Sequence, residues 1–400
     1  QVSMRLLVNM PLSLFGMITN TVNIVVFLDP EMRVQLVNHF LLALSVSDLL
    51  LLVFNFFMLI FPVIATMSTS VVLHDVFPLF LWYSYPLALT TQTCGVYLTV
   101  LVSVHRYLGV CHPFRAKRWV SSQPVRLAIA SSVFFSVLIN IPSWLELDIT
   151  HCLSHDFQTV LRTMTLTPLK QSPLYLLIQK AILYTLIMFA VPFVTLIIVN
   201  CRIIFALRES SHLRSMHSSA RLESRSRMLQ QFRLLKASKY SEIFNTFTRL
   251  SNTGSGSGGG GGVGASTLRD RSVTLMLLAI VAIFLLCNCL PFANNIIEDV
   301  IIDASSPLSD APAPSSSLPT SLFDISCELG NVLISLNSAS SLFVYLIFSS
   351  KYRAIIKHWL GLERRTRVNG VALTTAMAAQ KALELSMLPD EVDARGRLRA

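Results

Sequence analysis

TQTCGVYLTVLVSVHRYLGVCHPFRAKRW, residues 91–119, begins as an apolar run and ends in positive charge. Its first half is apolar enough to lie in a bilayer as a helix. The run ends at Arg106, which stands between His105 and Tyr107, and three further basic residues follow within the stretch. A charge at the mouth of a membrane helix is costly, so it marks a site that a partner protein could use.

The composition of the whole chain indicates an integral membrane protein. Of its 400 residues, 53% are hydrophobic and 14% are charged, whereas soluble domains carry about 25% charged residues. Apolar blocks of about twenty residues or more recur, and each can cross a hydrocarbon core of about 30 Å. The seven predicted spans are 6–28, 39–65, 76–110, 125–145, 173–207, 272–297 and 322–348. We therefore predict an all-α membrane protein, a bundle of seven transmembrane helices.

The distribution of Lys and Arg predicts how the chain is oriented. The loop after the third span, the segment 208–271 and the residues after 350 are basic, whereas 272–350 contains no Lys or Arg. Because cytoplasmic loops carry the excess of these residues, we predict an extracellular N-terminus and a cytoplasmic C-terminus in the plasma membrane. The net charge of +10 lies mainly in these loops, which favours contact with the bilayer and argues against nucleic acid as a partner.

The segments outside the spans predict one bundle domain, residues 1–360, and a cytoplasmic tail, residues 361–400. Within the domain, 208–271 is predicted to be a disordered cytoplasmic loop, because its Gly/Ser linker GSGSGGGGGVGAS cannot form a core. After the seventh span, Tyr352, Ile355 and Trp359 recur at helical spacing beside Lys and Arg, which predicts an amphipathic helix on the inner leaflet. The chain starts at Gln1 rather than Met, so we expect its natural start to be missing.

With these features the chain resembles a rhodopsin-like (class A) G-protein-coupled receptor over most of its length. The runs FLLCNCLPF (284–292) and YLIFSSKYR (345–353), together with 91–117, are similar to the FMRFamide-type neuropeptide receptors of invertebrates. The resemblance implies an extracellular amidated peptide as ligand and a heterotrimeric G protein as partner. It implies neither a cofactor, a metal nor an enzymatic activity.

The resemblance assigns G-protein coupling to four residues: His105, Arg106, Tyr107 and Tyr345. In the family an acid precedes the arginine and holds it in the resting receptor, whereas here the preceding residue is His105. A guanidinium also pairs well with backbone carbonyls, so coupling need not be lost. The alternative for Arg106 is a side chain that only reaches the bilayer surface at a helix end.

Asp48 is an ionisable residue inside the second predicted span, which marks a functional site or a buried ion-pair partner. The polar core and activation switch that the resemblance implies consists of Asn20, Asp48, Asn337, Ser341, Pro192 and Pro291. The alternative is a set of hydrogen bonds that only holds the helices together. Leu342 stands where the family has a proline in its seventh helix, so an expected kink is lost.

Acidic residues cluster around the loop between the sixth and seventh spans. Six of them occur without a neighbouring Lys or Arg in the sequence: Glu298, Asp299, Asp303, Asp310, Asp324 and Glu328. Their negative field should attract a cationic ligand, and the Arg of an Arg-Phe-amide peptide could pair with a carboxylate. The candidate ligand residues are Gln92, Tyr97, Asn294, Asn295, Glu298 and Asp299. Two alternatives stay open: acidic loops that follow from topology alone, and a non-peptide or chemosensory ligand.

Cys152 lies in the predicted extracellular loop, without the partner that the family places at the top of the third span. A Cys152–Cys327 disulfide and a free Cys152 are the two alternatives. A function of another class, a membrane transporter with Asp48 on an ion path, would require inverted repeats and helices broken inside the membrane. The sequence shows neither feature.

Overall fold

Seven long helices form the bundle in the computed structural model, which describes residues 1–112, 121–155, 157–209, 261–304 and 318–362; side chains at 180–181, 261–271, 296, 298–304 and 318–321 lie outside this description. The helices are α1 (Met4–Phe27), α2 (Val37–Met67), α3 (Val71–Cys111), α4 (Ser122–Leu145), α5 (Pro173–Glu209), α6 (Gly261–Ala304) and α7 (Leu318–Phe348). Each contains an apolar stretch long enough to cross a bilayer, and a helix satisfies its backbone polar groups internally. The seven predicted spans are confirmed.

A β-hairpin between α4 and α5 is an element that the sequence analysis did not predict. Its strands, β1 (Leu147–Ser154) and β2 (Thr159–Leu166), pair antiparallel, with Cys152 opposite Leu161 and His151 opposite Arg162. Both strands contain β-branched residues, which favour extended backbone, and Gln158 adopts a φ of 50° in the turn. We call the end of the bundle that carries this hairpin the hairpin end, and the opposite end, which α3 reaches at Arg106, the Arg106 end.

Close packing of α1 against α2 and α7 depends on Gly16. A Cβ atom at this position would lie 2.6 Å from Leu52 Cδ1 and 3.0 Å from Ala339 Cβ, so only glycine lets the three helices approach this closely. A separate apolar cluster joins α3, α5 and α6, and its buried members are Val96, Met188, Phe189, Leu196, Val281 and Phe284. The outward faces are also apolar, as lipid contact requires: Leu7, Phe134 and Leu286 are 75%, 70% and 73% exposed.

The prolines mark local changes in the helices. In α5, π-helical turns span Leu176–Ala190 and give way to α-helix just before Pro192, a residue that cannot donate a backbone hydrogen bond. Pro291 lies inside α6, and a Cβ atom on Gly330 of α7 would approach its Cγ to 3.5 Å. The helix α7 runs through Leu342 without interruption, as the absence of a proline there predicts.

A short helix, α8 (Ser350–Trp359), follows α7 and confirms the helix predicted after the seventh span. The structure divides after Tyr352 into two compact units, Gln1–Tyr352 and Arg353–Ala400. Gly361, two residues after the end of α8, has a φ of 69°, the left-handed conformation that is common just after helix C-termini.

Within the segment predicted to be disordered, 208–271, residues 210–260 lie outside the described residues. The tail 363–400 also lies outside them. The backbone of α6 begins at Gly261, inside the Gly/Ser linker, so its first turns are helical where composition predicts a flexible coil. Adding a turn to an existing helix needs no new nucleus, which makes this extension easier than composition indicates.

Candidate functional site

Asp48 lies at the centre of a buried polar core formed by α1, α2 and α7. It is 7% exposed, and the Ser338 hydroxyl donates a hydrogen bond to its Oδ1 at 2.9 Å. Asn20 is fully buried and donates from Nδ2 to the carbonyl oxygens of Gly16, at 2.9 Å, and Ser338, at 2.8 Å. The predicted neighbours Asp48 and Asn20 are therefore brought together, with Ser338 as the residue between them.

A cavity of about 40 Å³ opens beside Asp48, which is room for one or two water molecules. Its polar lining includes Asp48, Gln92, Asn288, Asn337 and Ser341. Asn337 and Ser341 thus line the same cavity as Asp48. Gln92, predicted to contact the ligand, instead lines this core cavity.

The hydrogen bonds of the core continue from Ser341 toward the Arg106 end. The Ser341 hydroxyl donates to Asn20 Oδ1 at 3.4 Å and accepts from Asn23 Nδ2 at 3.0 Å. Tyr352, in the first turn of α8, donates from Oη to Asn23 Oδ1 at 2.6 Å. Burial raises the pKa of Tyr352 above its ordinary value, so its hydroxyl stays a donor. We call the series Asp48, Ser338, Asn20, Ser341, Asn23 and Tyr352 the polar chain.

Sequence reasoning missed Ser338, Asn23 and Tyr352 as members of this core. One signal was available for Asn23: it lies three residues after Asn20, so both face the same side of a helix. Tyr352 could not be found this way, because its partner is more than 300 positions away in the sequence.

At the Arg106 end, the two residues that flank Arg106, His105 and Tyr107, make contacts with other residues of the bundle. The His105 ring packs edge-on against Phe40 of α2, with centroids 5.4 Å apart. Both of its ring nitrogens are buried without a hydrogen-bond partner among the described residues. Tyr107 bonds through Oη to His112 Nε2 at 3.0 Å, just beyond the last residue of α3.

Tyr345, the fourth predicted coupling residue, is 1% exposed and packs inside an aromatic triad. Its ring lies edge-on to Phe27 at 4.9 Å, and 5.5 Å from the ring of Tyr352. Ser272 of α6 donates a hydrogen bond to the carbonyl oxygen of Phe348, the last residue of α7. At this end α6 therefore lies closed against α7.

The other predicted ligand residues form hydrogen bonds in different parts of the bundle. Tyr97 donates to the carbonyl oxygen of Ile187 in α5 at 3.0 Å. Asn294 accepts from Ser326 of α7 at 2.6 Å, whereas Asn295 donates to Pro291 within α6 at 3.1 Å. None of these three residues lines the cavity that holds Gln92. The backbone of Glu298 and Asp299 belongs to α6, but their side chains lie outside the described part of the structure.

One prediction about the acidic cluster is wrong. Glu328 does have a basic neighbour, because Arg5 at the start of α1 bonds both of its carboxylate oxygens, from Nε at 2.9 and 3.1 Å. The Nη2 atom of Arg5 bonds the same carboxylate, which is 6% exposed. The helices α1 and α7 are adjacent in the fold although they are distant in sequence, so a count of charges along the chain could not reveal the pair.

The Cys152–Cys327 disulfide, one of the two alternatives for Cys152, is not formed. Cys152 is an exposed thiol on β1, and Cys327 is a half-buried thiol on α7. The hairpin is instead attached to α3 by Arg162, which bonds Asp75 from its backbone N at 3.0 Å and from Nε at 3.1 and 3.2 Å. The Asp75 carboxylate raises the pKa of the Arg162 guanidinium further above its ordinary value.

A second attachment of the hairpin centres on Glu146, which is fully buried. Its carboxylate accepts from Tyr85 Oη at 2.8 Å, from Lys170 Nζ at 2.8 Å and from Tyr175 Oη at 3.0 Å. Lys170 also lies over the Tyr85 ring, 4.8 Å from its centroid. A buried carboxylate with three donors, one of them a cation, is well compensated, so this cluster joins α3, α5 and the base of the hairpin.

Comparison with known proteins identifies the family to which this architecture belongs. The sequence pattern of the family described as 7 transmembrane receptor (rhodopsin family) matches residues 19–315. The FMRFamide receptor of Drosophila melanogaster is 22% identical over 343 residues, which cover 85% of this chain and 50% of that receptor. The FMRFamide peptide receptor frpr-18 of Caenorhabditis elegans is 25% identical over 373 residues, covering 93% of this chain and 73% of the relative.

A third relative, the somatostatin receptor type 5 of Rattus norvegicus, is 33% identical over 131 residues, about a third of each chain. The present chain spans half the length of the Drosophila receptor that it matches. The family pattern covers more than half of the chain and coincides with helices of membrane length. The chain therefore belongs to the rhodopsin family of seven-transmembrane, G-protein-coupled receptors.

Proposed function

We propose that this receptor binds an extracellular neuropeptide ending in Arg-Phe-amide or a similar sequence, and activates a heterotrimeric G protein at the plasma membrane. The observation that carries the proposal is the similarity to two proteins named as FMRFamide receptors, which extends over 85% and 93% of this chain. A similarity of this extent includes both ends of the bundle rather than one motif.

The hairpin end faces the outside in this proposal. Lys and Arg are concentrated in 208–271 and after residue 350, on the side of the Arg106 end, and cytoplasmic loops carry this excess. The ligand then enters from the hairpin end, where the hairpin is attached by Arg162 and Glu146, and the G protein binds at the Arg106 end.

The ligand's positive charge is attracted by the acids around the loop between α6 and α7. Arg5 forms an ion pair with Glu328. The negative field that attracts the ligand therefore comes from the five other acids: Glu298, Asp299, Asp303, Asp310 and Asp324. A guanidinium pairs with a carboxylate through two parallel hydrogen bonds, which suits the Arg of an RFamide peptide. Asn294 and Asn295 lie on the same helix as Glu298, one turn closer to the bundle centre, where an amide group of the peptide would reach them.

Signal transmission is a shift in population between two states of the bundle. In the structure, the Arg106 end is closed between α6 and α7 through Ser272 and Phe348. The agonist favours a state in which α5 and α6 separate at this end and expose Arg106, Tyr107 and Tyr345 to the G protein. The core around Asp48 rearranges between the two states, because Asn288 of α6 lines the same cavity as Asp48 and moves with α6.

The test is a G-protein activation assay in cells that express the chain, with amidated RFamide peptides and their free-acid forms as matched probes. We expect a submicromolar response to amidated peptides that is weakened at least about tenfold in the free acids, because a charged terminus loses the amide donor. An E298A/D299A variant should also weaken the response, whereas D148A, which removes an exposed acid of β1, should not.

Silence toward every amidated peptide, with normal surface expression, would overturn the ligand class. A response that is equal in E298A/D299A and in the unaltered chain would retain the ligand but remove these two acids from its site. A response to a non-peptide ligand alone would favour the chemosensory alternative.

A further inference from the structure

We infer that the Tyr352 hydroxyl is a positioning group that holds the receptor in its signalling-inactive state, through a hydrogen bond to Asn23. The inference deepens the proposed function, because it rests on coupling to a G protein at the Arg106 end. It assigns a role to Tyr352, at the junction between α7 and α8, which was not among the predicted coupling residues.

The Tyr352–Asn23 hydrogen bond lies in a buried position, where its loss is costly in free energy. Tyr352 and Asn23 are both fully buried, and the oxygen atoms are 2.6 Å apart. A buried acceptor left without its donor is penalised strongly. Loss of this hydroxyl would therefore disfavour any state in which the Asn23 side chain remains buried away from water.

The Tyr352–Asn23 bond is the last bond of the polar chain. Asn23 in turn bonds Ser341, Ser341 bonds Asn20, and Asn20 and Asp48 both bond Ser338. A change in the Asp48 core thus reaches the α7–α8 junction through hydrogen bonds alone. The coupling is physical contact at every step, over residues of α1, α2, α7 and the first turn of α8.

The junction between α7 and α8 also contacts α6 at the Arg106 end. Ser349 accepts from the backbone N of Tyr352 at 3.2 Å, as an N-cap of α8. The neighbouring carbonyl, that of Phe348, accepts the hydrogen bond from Ser272 of α6. When Tyr352 fixes the junction against α1, it also fixes the acceptor that keeps α6 closed.

The sign of the effect follows from this geometry. Opening of the Arg106 end separates Ser272 from Phe348, so every bond that fixes Phe348 in place favours the closed state. Removing the Tyr352 hydroxyl weakens the closed state and raises the population of the open one. Tyr352→Phe isolates this effect, because the phenyl ring keeps its contacts with Phe27 and Tyr345, at centroid distances of 5.9 and 5.5 Å.

The experiment measures basal G-protein activation per receptor at the cell surface, without ligand. We expect Y352F to raise it, on the order of threefold to tenfold for the loss of one buried hydrogen bond. The matched control is Y83F, which removes the hydroxyl of a tyrosine that is 53% exposed near the hairpin end, and it should leave basal activation unchanged. In an N23V background, Y352F should have no further effect, since the acceptor is already gone.

A second measurement does not depend on the G protein. Hydrogen exchange of the purified chain in lipid nanodiscs should become faster in Y352F both at the α7–α8 junction and in the first apolar turns of α6 that follow Ser272. Unchanged exchange in α6, or a Y352F effect that persists in full in the N23V background, would overturn the inference. If no variant and no peptide activated any G protein while the exchange pattern appeared as expected, the proposed function would fail and the positioning role would stand.

Discussion

At the scale of single residues, His105 is the most informative departure from the family's usual pattern. The acid that normally restrains the following arginine is replaced by an imidazole that packs against Phe40. Its ring nitrogens have no hydrogen-bond partner among the described residues, so the ring contributes packing rather than charge. A carboxylate at position 105 is therefore not available to restrain Arg106.

Restoring the acid should strengthen the resting state. We predict that His105→Asp lowers basal G-protein activation about three- to tenfold, because a partly buried carboxylate next to Arg106 forms a charge-assisted pair. The control is His105→Asn, which is polar but uncharged and should change basal activation little. The measurement is ligand-free signal normalised to surface receptor. A rise in basal activation in H105D would show that the acid does not act as a restraint in this chain.

At the scale of elements, the hairpin and its attachments distinguish this receptor. In place of the disulfide that the family usually forms between the third helix and the loop joining the fourth and fifth helices, the described residues show the Arg162–Asp75 pair and the Glu146 cluster. The two side chains of the first pair are 31% and 28% exposed, so water and salt weaken it. The Glu146 cluster is buried and contributes the more permanent attachment.

We predict that the hairpin is insensitive to reducing agents but sensitive to Arg162. Dithiothreitol should leave the hydrogen exchange of β2 unchanged, whereas Arg162→Gln should speed it about two- to fivefold, as expected for loss of a partly exposed ion pair. Arg162→Lys keeps the charge but not the bidentate geometry, so its effect should be intermediate. Faster exchange caused by the reductant itself would mean that a disulfide holds the hairpin after all.

Elements differ in how far their sequence predicts them. The seven helices could be predicted because twenty apolar residues in succession have few other stable states in a membrane protein. The hairpin was missed, since two eight-residue strands such as LDITHCLS and TVLRTMTL carry a weak periodic signal and depend on tertiary contacts. The attachment of Arg162 to Asp75 joins residues 87 positions apart, which no local pattern reveals.

The same distinction applies within the candidate site. Asp48 could be singled out because it is an ionisable residue in an apolar span, and the resemblance to the receptor family then assigned Asn20, Asn337 and Ser341 to the same core. The roles of Tyr352 and of Arg5 could not, because their partners, Asn23 and Glu328, become neighbours only when α1 packs beside α7. The sequence thus predicts which polar residues are buried better than which of them are bonded.

At the scale of the whole molecule, two ends of different chemistry are joined by a polar core. The hairpin end carries the acids and the attached hairpin, and the Arg106 end carries the aromatic triad and the contact between α6 and α7. The polar chain runs from Asp48, inside the bundle, to Tyr352 at the Arg106 end. This arrangement suits a receptor, in which binding at one end changes the population of states at the other. A transporter would instead require helices broken inside the membrane, whereas α7 is continuous from Leu318 to Phe348.

In the proposed mechanism, peptide binding at the hairpin end activates a G protein through Arg106. The most direct measurement is peptide-stimulated nucleotide exchange on G proteins in membranes that contain either the unaltered chain or Arg106→Ala at equal surface amounts. Arg126→Ala serves as the control, since it removes an exposed arginine near the start of α4 at the same end. We predict that amidated RFamide peptides stimulate exchange in the unaltered chain and in R126A, but not in R106A. Full stimulation in R106A would contradict the claim.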